Sequence, residues 1–226
     1  NIATYGIKNP FNYKLSDAEL KKLRAEELVT LLHNLTKYRH KVLYYGPEEK
    51  EALVATLAMY HKTNMSTRVL PTAYPFTFRK NTANEVNFAN YDMVQTEISW
   101  SRNSAMFSPV NIPVINLFNE YFGGGMAGVV FQTIRESKAL AYSTYAYYGT
   151  AYKKNEPNIM KAYVGCQADK MNESILSMQE LLDSLPFSEK LFSVTKASLK
   201  NNFATSRILK QQILFKFLEA QRLGIS

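Results

Sequence analysis

The sequence predicts an α+β fold, a mainly antiparallel sheet with paired helices packed on one face. Three observations predict it. Apolar residues alternate at period two in several short runs and recur at helical spacing between them. The resulting order is α-β-α followed by β-β-α-α-β-β-α-α, with strands paired through short turns and helices paired between them. Hydrophobic residues make up 46% of the 226-residue chain and aromatics 13%, enough for a real core and the opposite of a disordered tail.

Taken in order, Ser16-Asp17-Ala18-Glu19 is a capping box, with Ser16 as N-cap and Glu19 at the third helical position. It opens a helix carrying Leu20, Leu23, Leu28, Leu31 and Leu32 roughly on one face and fading near Thr36. Residues 40–45 (HKVLYY) read as a buried strand. Gly46-Pro47-Glu48-Glu49 turns into a second helix, with Pro at its first position and acids in its first turn. Leu53, Leu57 and Tyr60 form the apolar face of that helix, which ends near Lys62.

Residues 63–83, polar and holding Pro71 and Pro75, read as a connector. Residues 85–90 and 93–100 are strands. The second alternates Val94, Thr96, Ile98 and Trp100 against Gln95, Glu97 and Ser99. Residues 101–109 are loop, and 112–122 are a helix with Val114, Leu117, Phe118 and Tyr121 at core spacing. Gly123-Gly124-Gly125 ends that helix, as glycine does at a C-terminus. A new helix covers 126–136. Residues 140–148, rich in Tyr and Ala, and 159–167 are strands. Asp169 caps a helix reaching about Ser184. Pro186-Phe187-Ser188 starts one long helix to about Arg222, with Phe203, Ile208, Leu209, Leu214 and Leu218 as its apolar positions.

The whole of 1–226 reads as a single domain, with a helix-strand-helix part over 1–64 and a second part over 65–226. The chain starts at Asn1 without Met or a signal-like segment and stops just after a strong helical pattern. It therefore reads as a piece of a longer, multi-domain protein.

Several function classes are excluded. The net charge of +8 invites a nucleic-acid reading. The basic residues are spread out, however, with only short clusters such as Lys21-Lys22, Arg79-Lys80 and Lys153-Lys154. No aromatic-basic interleaving appears, so a solvated basic surface is favoured and no nucleic-acid partner is predicted. No apolar run approaches the ~20 residues that span a bilayer. The glycine triplet runs into Met126, Ala127 and Gly128. It matches neither phosphate-binding fingerprint and serves as a sharp turn. No G-x-S-x-G elbow exists. Cys166, the one cysteine, lies mid-strand between Gly165 and Gln167 and reads as core. His33, His40 and His61 are scattered, and none begins an H-x-x-E-H motif. No metal ligand is predicted in this chain.

Arg135 and Tyr142 stand apart. Arg135 ends a helix, Tyr142 starts the next strand, and the turn over 136–141 lets both approach the same end of the sheet. An Arg offers a fork of donors to carbonyls or carboxylates. A Tyr hydroxyl can donate to an oxygen gaining charge in a tetrahedral transition state. By residue type alone, an Arg–Glu surface contact and a core Tyr are the default.

The surrounding stretch changes that. Residues 121–142 read YFGGGMAGVVFQTIRESKALAY, with Gly123-Gly124-Gly125-Met126, Phe131-Gln132, Ile134-Arg135-Glu136 and Leu140-Ala141-Tyr142 in one block. This block resembles the second-domain signature of the pitrilysin/insulin-degrading-enzyme family of zinc peptidases, the inverzincins, which includes the mitochondrial processing peptidases. The order of elements over residues 10–222 is similar to that family's domain, a metallopeptidase-like α/β roll. The resemblance implies a non-catalytic domain that closes a peptide-binding chamber. Its zinc, with the metal histidines and the general-base Glu, would belong to a companion catalytic domain on the same chain or on a partner subunit. Arg135 and Tyr142 would then contact a peptide substrate bound at that zinc and stabilise developing charge. Relatives of these peptidases serve as structural subunits without hydrolysing anything, which is the rival reading. The resemblance is compatible with a bacterial periplasmic or cell-envelope address; no residue pattern fixes the compartment.

Overall fold

The structure is a computed structural model that describes residues 2–62, 68–70 and 76–225. In chain order the elements are α1 (Ile2–Tyr5), α2 (Asp17–Leu20), α3 (Ala25–Leu35), α4 (Lys50–Tyr60), β1 (Gln95–Met106), α5 (Ile112–Phe118), β2 (Ala141–Gly149), β3 (Pro157–Gln167), α6 (Met171–Asp183), α7 (Glu189–Thr205) and α8 (Ile213–Leu223). Two π-helical turns, Asn119–Gly123 and Phe131–Ser137, lie between α5 and β2. The fold is α+β with an antiparallel sheet, as the sequence predicts. The chain divides into two compact units, one of Asn1–Ile7, Phe78–Arg207 and Glu219–Ser226, the other of Lys8–Thr77 and Ile208–Leu218.

The first unit is built on the sheet, in the order β1-β3-β2, with both pairings antiparallel. Ser99 opposes Tyr163, which opposes Tyr145. The alternation of side chains sends Ala162, Val164 and Cys166 of β3 to one face, with Ala146 of β2. There they meet Phe122, Val130, Ile134, Met178 and Leu181, with Ile98 and Trp100 of β1 packed alongside. Cys166 is buried in this core, as its mid-strand position predicts.

Two side chains tie loops to this core. The Tyr121 hydroxyl donates to the Pro186 carbonyl (2.9 Å) and accepts from the Ser188 N–H (2.8 Å). Ser188 in turn caps α7, accepting from the Leu191 N–H. Asn119 serves β2 like a short extra strand. Its Nδ2 donates to the Tyr148 carbonyl at 2.9 Å, and its Oδ1 accepts from the Tyr148 N–H at 2.6 Å.

The structure corrects several boundaries in this unit. β1 continues through residues predicted as loop, because Arg102 and Asn103 stay in register with Met160 and Ile159. Residues 85–90 are not a strand. They take no place in the sheet, and Val86 and Phe88 lie exposed, so alternation alone did not supply a hydrogen-bonded neighbour. α5 ends at Phe118, where the backbone widens into the first π turn. Val114 is on its solvent side, and Ile115 is buried instead. Asp169 sits within a short 3-10 turn and is not the N-cap of α6. The long helix predicted to reach Arg222 breaks after Thr205. There the Thr205 hydroxyl donates to the Asn201 carbonyl and the Ser206 hydroxyl to the Phe203 carbonyl, a side-chain competition that disfavours continuing the helix. Phe203, Ile208 and Leu209, predicted as apolar core positions, are exposed.

The second unit holds α2, α3 and α4. The capping box at Ser16 is present. The Ser16 hydroxyl oxygen accepts from the Glu19 N–H at 3.3 Å, and the Glu19 carboxylate accepts from the Ser16 N–H at 2.8 Å. These hydrogen bonds hold the Glu19 carboxyl below its ordinary range. The predicted first helix is in fact two, because α2 stops at Leu20 and α3 restarts after Arg24. α4 starts at Lys50 with Glu49 as N-cap, so Pro47 precedes it. Residues 40–45 form no strand; an isolated bridge pairs Tyr38, just before them, with Arg68. Leu28, Leu31 and Leu32 share α3 but are exposed, with no sheet formed by 40–45 to cover. Pro71 and Pro75 lie outside the described residues. Among the described residues, no helix is long and apolar enough to cross a membrane.

Two measurements check this account. Ile134, fully buried, loses about 2–5 kcal/mol of stability on replacement by Ala, read as a fall in the chemical-denaturation midpoint; an unchanged midpoint refutes its core placement. Glu19 titrates by NMR below the ordinary glutamate value. Because its folded pKa is depressed, its contribution to α2 is present above the ordinary carboxylate pKa and is lost as pH falls through the depressed value. In Ser16→Ala its titration moves back up; no movement would break the link between cap and carboxylate.

Candidate functional site

Arg135 and Tyr142 come together as the sequence predicts. Arg135 lies on the second π turn, one residue after the fully buried Ile134. The apolar anchor therefore fixes the backbone from which the guanidinium projects. The chain then reverses over a few residues. The Lys138 N–H donates to the Thr133 carbonyl (3.0 Å) and the Leu140 N–H to the Ile134 carbonyl (2.9 Å). Between them Ala139 takes a left-handed backbone with φ 48°, the conformation usual for a residue closing a helix and normally given to Gly. Lys138 braces the turn from outside, its Nζ donating to the Ser177 hydroxyl oxygen at 2.9 Å and lying 3.5 Å from the Glu180 carboxylate.

Tyr142 follows on β2 at a register break. Ala141 opposes Cys166 while Ser143 already opposes Gly165, so Tyr142 is the extra residue of a β-bulge. A bulge bends the strand and re-aims a side chain. Tyr142 is accordingly 78% exposed, beside the buried Ala141.

The resulting cluster is small and aromatic. The Arg135 guanidinium carbon lies 4.9 Å from the centre of the Phe131 ring and 5.4 Å from that of Tyr142. Its Nε is 3.8 Å from the Glu136 carboxylate, a loose ion pair in water worth little. Both Arg135 and Tyr142 present donors to solvent. Phe131 was quoted in the sequence motif without a role, and its place against Arg135 was missed; the i, i+4 spacing of the two was the available signal. The bulge at Tyr142 left no signal that alternation could show.

Behind this cluster the glycines set a close approach. A Cβ on Gly123 would collide with the Ala146 carbonyl oxygen of β2, and one on Gly124 with the Glu120 carbonyl oxygen. Gly125 has φ 56°. The triplet is thus a turn packed on β2, as the sequence predicts, and the packing adds a steric reason for glycine at Gly123.

Along β2 and β3 the open face of the sheet carries tyrosines. Tyr145 stacks on Tyr163 at 5.0 Å and 16°, and against Tyr147 at 6.1 Å. Burial first, then the charge of Glu97, raises the Tyr163 hydroxyl above its usual pKa. In the second unit, two of the histidines expected to be scattered are paired: His40 Nε2 and His61 Nε2 lie 2.7 Å apart, with His40 Nδ1 2.7 Å from the Tyr38 carbonyl oxygen. Among the described residues, no group of three or more His, Cys, Asp or Glu is placed to hold a metal ion.

The description of the peptidase M16 inactive domain matches residues 33–199, well over half of the chain. The chain belongs to the peptidase M16 inactive-domain family. That family is described as the inactive domain of the M16 peptidases. A stretch of 86 residues is 31% identical to an uncharacterised zinc protease, YmxG, of Bacillus subtilis, spanning 38% of this chain and 19% of that one. The fold is similar to a conserved protein from Enterococcus faecalis V583, with TM-score 0.65 and 16% identity over 92% of this chain and 48% of the other. It is also similar to a mutant of the ferredoxin protease FusC in complex with Arabidopsis ferredoxin, with TM-score 0.63 and 13% identity over 98% of this chain and 25% of that one. The M16 inactive domain seen here therefore spans less than half the length of these relatives.

The left-handed Ala139 gives a direct test of the turn. Ala139→Gly removes the Cβ penalty of that conformation, on the order of 1 kcal/mol, and raises the thermal midpoint. Gly123→Ala lowers it, because backbone must move. A lowered midpoint in Ala139→Gly would refute the turn geometry.

Proposed function

We propose that this M16 inactive domain is the substrate-enclosing, non-catalytic half of a zinc-dependent metalloendopeptidase, and that Arg135 and Tyr142 contact the peptide. The observation that carries the reading is their convergence: an exposed guanidinium and an exposed phenol 5.4 Å apart on a backbone anchored by core residues. Zinc in the companion domain would supply Lewis-acid polarisation of the scissile carbonyl and an activated water. This chain's residues would do the rest of the work at the closing face. The guanidinium fork of Arg135 would hold a substrate backbone carbonyl, and the Tyr142 hydroxyl would donate where negative charge develops. Enclosure would exclude water, so the same donors act in a lower dielectric than they meet in the open chain.

The test uses the complete peptidase with its zinc-bearing half. Removing one such donor typically costs about 10²–10³ in rate. Tyr142→Phe and Arg135→Ala therefore lower kcat/KM of peptide cleavage toward that range while leaving zinc content unchanged. Wild-type kcat/KM in both variants would remove the assignment. A complete protein without cleavage activity would favour a structural subunit of the same fold.

A further inference from the structure

The Phe131 ring lies against the guanidinium of Arg135, with 4.9 Å between the guanidinium carbon and the ring centre. The two residues sit four apart on the same π turn, and the half-buried ring is held by a backbone whose next anchor, Ile134, is fully buried. The other groups near Arg135 hold it weakly: Glu136 is a loose partner at 3.8 Å, and Tyr142 is itself mostly exposed. A long Arg side chain has several rotatable bonds and in water samples many rotamers. A donor serves a transition state only if it is already aimed when charge develops.

We propose that Phe131 is the positioning residue of Arg135, holding the guanidinium by a cation–π contact so that it faces the substrate pre-aimed. The inference rests on the function proposed for Arg135 and Tyr142 and extends it to a third residue. The ring supplies an aromatic face, which attracts a cation, rather than apolar bulk alone. An aliphatic residue of similar size fills the space and loses the attraction, whereas another aromatic keeps it.

The experiment is a double-mutant cycle in the complete peptidase, with kcat and KM measured separately on one peptide substrate. Phe131→Leu lowers kcat/KM by about 2- to 5-fold, the worth of an exposed cation–π contact, and Phe131→Trp restores it. In an Arg135→Ala background, Phe131→Leu has no further effect, because the group it positions is gone. A residue that merely stabilises the turn would give the same loss in both backgrounds, and that result overturns the proposal. Equal losses in Phe131→Leu and Phe131→Trp overturn it too. Wild-type activity in Phe131→Leu beside a large loss in Arg135→Ala overturns the role of Phe131 alone. Wild-type activity in Arg135→Ala overturns this inference together with the function it rests on.

Discussion

The placement of Arg135 beside Tyr142 depends on a reversal of the chain closed by two backbone hydrogen bonds, from Lys138 to Thr133 and from Leu140 to Ile134. These bonds use carbonyls that the end of a helix would otherwise leave unpaired. Ile134 contributes twice: its carbonyl closes the turn and its side chain fills the core. The turn cannot open without exposing that side chain, so a local loop conformation is coupled to the stability of the sheet it precedes. Ala139 bears the conformational strain of the arrangement, on the order of 1 kcal/mol. That cost is small against the burial of Ile134 and Leu140 on either side.

The same logic accounts for the glycine triplet. β2 is an edge strand, hydrogen-bonded on one side to β3. On its other side Asn119 satisfies Tyr148, and Gly123 packs directly on Ala146. A side chain at Gly123 would push the π turn away from the strand. The edge of the sheet is thus covered by backbone and a single amide, a common way of protecting exposed strand groups. The bulge at Tyr142 lies at the start of this covered strand. The covering elements hold the strand while the bulge turns one of its side chains outward.

How much of this was legible in the sequence follows from the range of the interactions. The capping box at Ser16, the helix start near Ser188 and the core position of Cys166 are set by neighbours or by alternation, and they were readable. So was the convergence of Arg135 and Tyr142, because a short turn leaves few alternatives. Segments whose structure depends on a distant partner were not readable. Residues 40–45 and 85–90 have strand-like composition, and among the described residues they find no ladder to join. Alternation measures a tendency to be half-buried, not the presence of a neighbour. The break after Thr205 and the split between α2 and α3 were missed for a related reason. Apolar spacing continued through both, while hydroxyls at Thr205 and Ser206 and the restart at Arg24 decided the backbone locally.

On the proposed function, the exposure of Arg135 and Tyr142 is that of a site completed only by a companion domain. In water a guanidinium–carbonyl contact replaces bonds to solvent of nearly equal strength, so its net worth is small. The identical contact in an enclosed, water-poor space has no such competitor and gains electrostatic strength. A domain that kept these donors buried within itself would have to satisfy them internally, and they would then be unavailable to a substrate. A domain that left them unsupported would lose their aim to side-chain entropy. The arrangement here lies between those limits, with the backbone anchored at Ile134, the guanidinium laid against Phe131 and Tyr142, and the donor atoms left facing water. On the proposed function, the step that turns this weak, prepared cluster into an active one is closure over a peptide. What this chain would contribute is geometry set in advance, while the enclosing partner would supply the low dielectric that gives the geometry its energy.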